Sequence, residues 1–145
     1  REQDWNLLDY PAHQDFHRFM MDLSCLYTEH PALYEKDYET EGFQWLDCHQ
    51  EEACIYAFER AGKEERIVAI FNFSDQAQDA YQIKVPGAKT LELLLSSNDV
   101  RYGGNADAAI EAARTENGFC ISLAPFSAVY YLVTDQNVNK TAAKK

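Results

Sequence analysis

Residues 67–73, Ile-Val-Ala-Ile-Phe-Asn-Phe, have the fewest folding options of any stretch in this chain. The first five are apolar without a break and rich in β-branched and aromatic side chains. Glu64-Glu65-Arg66 bounds the run on one side and Ser74-Asp75 on the other. A short unbroken apolar run between turn signals predicts a strand covered on both faces. Such a strand needs neighbours on either side and a layer above and below. A chain of 145 residues with 46% hydrophobic content can supply them within one domain.

The neighbours are visible as period-two segments. Phe43 and Trp45 alternate with Gln44 and Leu46, Ile55 to Phe58 forms a return strand, and His49-Gln50-Glu51-Glu52 reads as the turn between them. Gly62 breaks the chain before the central run. Tyr81, Ile83 and Val85 alternate with Gln82 and Lys84 as in a half-exposed strand, and Pro86-Gly87 is a turn signal. Leu91, Leu93 and Leu95 open another strand, Phe119, Ile121 and Leu123 alternate again, and Phe126 to Val133 closes the series. Seven or so short strands at hairpin spacing predict an antiparallel Greek-key sandwich or a barrel. Between Ser96 and Gly118 the strand pattern fades. Ala108 to Arg114 fits a helical turn or a weak strand, and a loop this long is often functional.

One helix precedes the strands. Asp9 is placed to cap it and Pro11 to start it, since the missing N–H costs nothing there. Phe16, Phe19, Met20, Leu23, Leu26 and Tyr27 recur at three- and four-residue steps, and Pro31 ends the pattern. This stripe needs a surface, supplied by the β domain or by something outside the chain.

A formal charge of −11 disfavours nucleic acid and anionic membrane surfaces, because both are held by Lys and Arg. A neutral partner such as a sugar polymer meets no such penalty, although acidity does not select one. No signal peptide or transmembrane run is visible, and a chain opening at Arg1 without Met is expected to have lost its natural start. Cys25, Cys48, Cys54 and Cys120 show no zinc spacing; Cys48 and Cys54 lie on facing arms of a hairpin but are not read as a disulfide. His13 and His17 share a helix face without a third ligand, so no metal is expected. The sequons at Asn72 and Asn139 are read as chance, the first because it lies in the central strand. Trp45, Phe58 and Phe73 are read as core, and Glu51-Glu52 and Glu64-Glu65 as solvated acids in turns.

Three places carry a family resemblance. Asp4-Trp5-Asn6-Leu7-Leu8 with Arg18 to Pro31 is similar to D-W-x-L-L followed by R-x-x-x-D-L-N-x-L-Y-x-x-x-P. Gly42-Phe43-Gln44-Trp45 with Ile70-Phe71-Asn72-Phe73-Ser74 is similar to G-F-x-W and apolar-N-F-[ST]. Tyr102-Gly103-Gly104 with Ile121-Ser122-Leu123-Ala124-Pro125-Phe126-Ser127-Ala128 is similar to Y-G-G and S-L-x-L-P-P-L-x-A. Together, over residues 4–133, these resemble the C-terminal end of 1,4-α-glucan (glycogen) branching enzymes of the α-amylase superfamily. The chain departs from the pattern at Ser24 and Cys25, at Ser96 to Asp99, at Ala124, and in a shortened segment from Asn105 to Gly118.

The resemblance implies a mainly β protein: an antiparallel Greek-key sandwich of the α-amylase C-terminal type, preceded by one amphipathic helix from the last turn of a (β/α)8 barrel. It implies a barrel end at 1–34, an all-β domain at 35–135 and a flexible tail at 136–145. The parent would transfer α-1,4-glucan segments to form α-1,6 branches in glycogen biosynthesis, in the cytoplasm and without a cofactor. Its retaining chemistry needs two carboxyl groups about 5 Å apart, held at barrel strand ends. The resemblance places these upstream of Arg1, so no catalytic residue is assigned and the fragment alone is expected to be inactive. Its implied partners are α-glucan and the missing barrel. Trp5 and Tyr102 are the candidate glucan contacts, each weighed against simple packing. The competing readings are a stand-alone carbohydrate-binding module, a domain that only supports the barrel, and the C-terminal domain of another amylase-superfamily enzyme.

Overall fold

The structure is a computed structural model describing residues 11–34, 42–50, 54–104, 112–116 and 118–135. Helix α1 spans Pro11–Glu29 and a 3-10 turn follows at Pro31–Leu33. Among the described residues eight strands follow: β1 Phe43–Gln50, β2 Ile55–Ala61, β3 Arg66–Asn72, β4 Gln78–Ile83, β5 Ala88–Ser96, β6 Ala113–Thr115, β7 Gly118–Leu123 and β8 Ser127–Asp135. A second 3-10 turn, Val100–Tyr102, lies between β5 and β6. One sheet has the order β1-β2-β3-β8-β5 and the other β4-β7-β6, with every pairing antiparallel. The chain changes sheet after β3, β4, β5 and β7. The last strand thereby inserts between β3 and β5, as in a Greek-key sandwich.

Strand β3 is the middle of the five, and its residues divide between two cores. Val68 and Ile70 enter the core between the sheets with Tyr81, Ile121, Leu123, Val129 and Tyr131. Ile67 and Ala69 enter a second core on the other side, against Leu26 of α1, Leu33, Leu95 and Tyr130. All four residues from Ile67 to Ile70 are fully buried. The molecule is therefore three layers deep at β3: small sheet, large sheet, helix. That depth is why an alternating pattern is missing from this run and present in its neighbours.

Two polar clusters close the sandwich. The buried Asn72 side chain donates to the carbonyls of Gln76 (2.9 Å) and Ala124 (3.0 Å) and accepts from the N–H and hydroxyl of Ser74. Its amide is fully committed, so the first sequon lies where a glycan has no access. At the opposite end of β3, Arg66 donates to Glu59 at 2.6 Å and to Asp135 at 3.1 Å. Burial alone lowers the Arg66 pKa, but the Asp135 and Glu59 carboxylates outweigh it and leave the guanidinium above its usual range.

Several expectations change. Trp45 and Phe73 are not core: their exposures are 51% and 57%, and Phe58 is half-buried. β1 is an edge strand, and alternation reports which side of the sheet a residue takes but not whether anything covers that side. His49 and Gln50 belong to β1, so the hairpin turn falls after them. Glu65 is not a purely solvated acid. It accepts the Ala32 N–H at 3.1 Å and pairs with His30 Nδ1 at 3.2 Å, fixing the end of the helix to the β2–β3 turn. Of the two readings left open near Arg114, the strand is the one formed, at Ala113–Thr115, paired through Thr115 to Gly118. The helix stripe is split: Phe19, Leu23 and Leu26 pack on the sandwich and Tyr27, partly exposed, bonds the Tyr130 side chain, while Phe16 and Met20 stay exposed. Asp9, Glu51, Glu52, Asn139 and the 136–145 tail lie outside the described residues.

Candidate functional site

Two features of the helix-side face are candidates for function: a loop tied to α1 and an uncovered field of aromatic rings. The loop follows β5. The Asp99 carboxylate accepts from the Arg101 N–H at 2.9 Å, capping the 3-10 turn, and Gly103 leaves the turn in the left-handed region at φ 81°. A Cβ at Gly103 would sit 2.5 Å from the Asp15 carboxylate, and one at Gly104 only 1.9 Å from the Asn98 carbonyl oxygen. Only glycine lets the loop fold back on itself and reach the helix.

This geometry seats Tyr102 between helix and sheet, 9% exposed. Its ring meets Phe19 edge-on at 5.2 Å, and its hydroxyl donates a short hydrogen bond to Asp22. Burial first, and the Asp22 carboxylate second, push its pKa up to about 12. Both the ring and the hydroxyl are thus engaged within the chain, and no open face is left for a sugar ring. Trp5, the other sequence candidate, lies outside the described residues, so the structure does not bring the two together.

The aromatic field was not read from the sequence as a site. Phe43 and Trp45 on β1 stand opposite Arg60 and Phe58 on β2, and Tyr56 stands opposite Phe71 on β3. The rings form a connected array. Phe43 stacks on Phe58 (5.1 Å, 23°) and meets Trp45 edge-on at 5.2 Å, while Phe71 touches Phe58, Phe73 and Tyr130. At the Tyr130 end the array is buried, and at the β1 edge Phe43, Trp45 and Phe73 are open. An exposed aromatic patch rooted in a packed one marks an interaction surface more often than a chance exposure. The signal in the sequence was the position of Gly42-Phe-x-Trp in the first strand of the domain, where an edge is common. Among the described residues no group of His, Cys, Asp or Glu side chains is placed to hold a metal.

The description "Alpha amylase, C-terminal all-beta domain" matches residues 45–134. The chain belongs to this family. Among curated proteins, this alpha-amylase C-terminal domain is 37% identical over 106 residues to a 1,4-alpha-glucan branching enzyme of Oceanobacillus iheyensis, covering 72% of the chain and 17% of the relative. It is 39% identical over 103 residues to that of Shewanella frigidimarina (70% and 14%), and 34% identical over 136 residues to that of Vibrio parahaemolyticus (88% and 18%). It therefore spans less than one fifth of the length of these relatives. Among solved structures, a trehalulose synthase mutant superposes with a TM-score of 0.53 at 19% identity, over 78% of this chain and 17% of the other. The isomaltulose synthase of Erwinia rhapontici gives 0.51 at 19% identity, over 78% and 17%. At that identity the likeness speaks to the fold alone.

Proposed function

We propose that the chain is the C-terminal, non-catalytic part of a 1,4-α-glucan branching enzyme that transfers α-1,4-glucan segments to form α-1,6 branches. The observation that carries this reading is the 34–39% identity to branching enzymes over 70–88% of the chain, extending in one relative over 136 residues. In this reading residues 1–34 close the catalytic barrel and 35–135 form the appended domain. The exposed Phe16 and Met20 side of α1 then faces the barrel, which supplies the two carboxyl groups of the retaining reaction. The domain itself contributes support and a glucan contact. We assign that contact to Trp5 and to the open rings Phe43, Trp45 and Phe73, and assign Tyr102 to packing. No described helix is long and apolar enough to cross a membrane; the cytoplasmic location of the parent is part of the proposal and rests on the likeness to branching enzymes.

Two measurements test the reading. The isolated chain is expected to leave the iodine absorbance of amylose unchanged, and measurable branching by it would refute the non-catalytic assignment. The chain is expected to co-sediment with glycogen, with binding reduced at least severalfold by Trp45→Ala and unchanged by Tyr102→Phe. No co-sedimentation would leave the domain as barrel support alone and remove the glucan contact.

A further inference from the structure

We propose that residues 96–104 act as a latch that selects the seat of helix α1 on the sandwich, with Glu65 as the pivot. The inference does not depend on the function proposed above. The apolar stripe of α1 (Phe19, Leu23, Leu26) supplies attraction but little direction, because burial of apolar surface is indifferent to small rotations. Direction comes from hydrogen bonds, and the described ones between α1 or its following turn and the sandwich lie toward the two ends of the helix, with a Tyr27–Tyr130 side-chain bond near the C-terminal one. At the C-terminal end, the Glu65 carboxylate takes the His30 ring and the Ala32 N–H. Toward the N-terminal end, the Tyr102 hydroxyl donates to Asp22, and Arg18 Nη1 donates to the Arg101 carbonyl at 2.6 Å.

Eight residues separate Asp22 from His30, or about 12 Å along a helix. Two fixed points that far apart determine both where the helix lies and how it is rotated. One point alone leaves it free to swing. The loop is built to be stiff. Gly103 N–H donates to the Val100 carbonyl at 2.9 Å and Gly104 N–H to the Asp99 carbonyl at 3.1 Å, so Tyr102 is presented in one position. Tyr102 belongs to the helix-side core and makes no part of the core between the sheets. Opening the latch is therefore a local event that the sandwich survives.

Native-state hydrogen exchange on the 145-residue chain tests this. In Tyr102→Phe, the α1 amides between Phe19 and Leu26 are expected to exchange about tenfold faster, the loss of one charge-assisted bond, while β3 and β8 amides keep their rates. Asp22→Asn keeps an acceptor and should give a smaller acceleration confined to the same amides. Equal acceleration in α1 and β3, or none in α1, would overturn the proposal. Should Tyr102→Phe fail to fold, Asp22→Asn and Arg18→Gln, both on the helix surface, decide by the same criterion.

Discussion

The Asn72 side chain donates to the Ala124 carbonyl 3.0 Å away, tying the end of β3 to the segment that turns into β8. Four hydrogen bonds converge on this one buried amide, and replacing it leaves the Ser74 N–H without its acceptor, while the Gln76 and Ala124 carbonyls keep the Ser74 and Ser127 hydroxyls. Asn72→Ala is expected to cost about 1–3 kcal/mol. Urea unfolding should show a lower midpoint with an unchanged slope. A loss below about 1 kcal/mol would mean that water replaces the amide freely.

Ile67 and Ile70 are both fully buried, yet they face different layers. Truncation of either to Ala should cost about 2–5 kcal/mol. The consequences differ in kind: Ile67→Ala also loosens α1, whereas Ile70→Ala opens a cavity between the sheets. Amide exchange resolves them, with extra acceleration in α1 expected for Ile67→Ala only.

Arg66 holds Glu59, whose residue exposure is 7%, in a nearly water-free position. Arg66→Met leaves that carboxylate without its cation and is expected to cost about 3–5 kcal/mol at neutral pH. Adding Glu59→Leu should restore most of the loss, since the pair is replaced by apolar groups of similar bulk. Asp135 is half exposed and its share is small by comparison. A double-mutant cycle by chemical denaturation measures the coupling; additive losses would rule this account out.

Stability should fall at alkaline pH. Tyr102 keeps its proton to about pH 12 in the folded chain, against an ordinary tyrosine value of 10 in the unfolded one. Burial pushes Tyr130 and Tyr131 in the same direction. A raised folded pKa gives stability that is fully present below pH 10 and is lost as pH rises toward 12, because the unfolded chain then binds fewer protons. Each such group contributes a slope of at most about 1.4 kcal/mol per pH unit. Unfolding free energies measured across pH 9–12 should decline, and Tyr102→Phe should decline less steeply than the parent chain.

The helix, the central strand and the alternating strands were legible in the sequence because each is set by local pattern. Pro11 opens α1 and Glu29 ends it one residue short of the position before Pro31. Ile67 to Ile70 has no polar side because both faces of β3 are covered there. Glu65 was misread for an instructive reason. Its role depends on His30 and Ala32, more than thirty residues away, and two adjacent acids in a turn look identical whether or not a helix end lies over them. Trp45 and Phe73 failed on the same ground: hydrophobicity states a preference for cover, and whether cover arrives is decided by neighbouring elements.

By itself, then, the sequence determined the longer strands, the leading helix and a domain type, since periodicity and turn chemistry act over a few residues. Only the tertiary structure decided that Arg18 and Asp22 on the helix meet Arg101 and Tyr102 on the loop. The same is true of the aromatic row, which begins buried at Tyr130 and ends open at Trp45. Those relations join residues about 80 positions apart. They depend on how sheets and helix are layered, which no local pattern specifies.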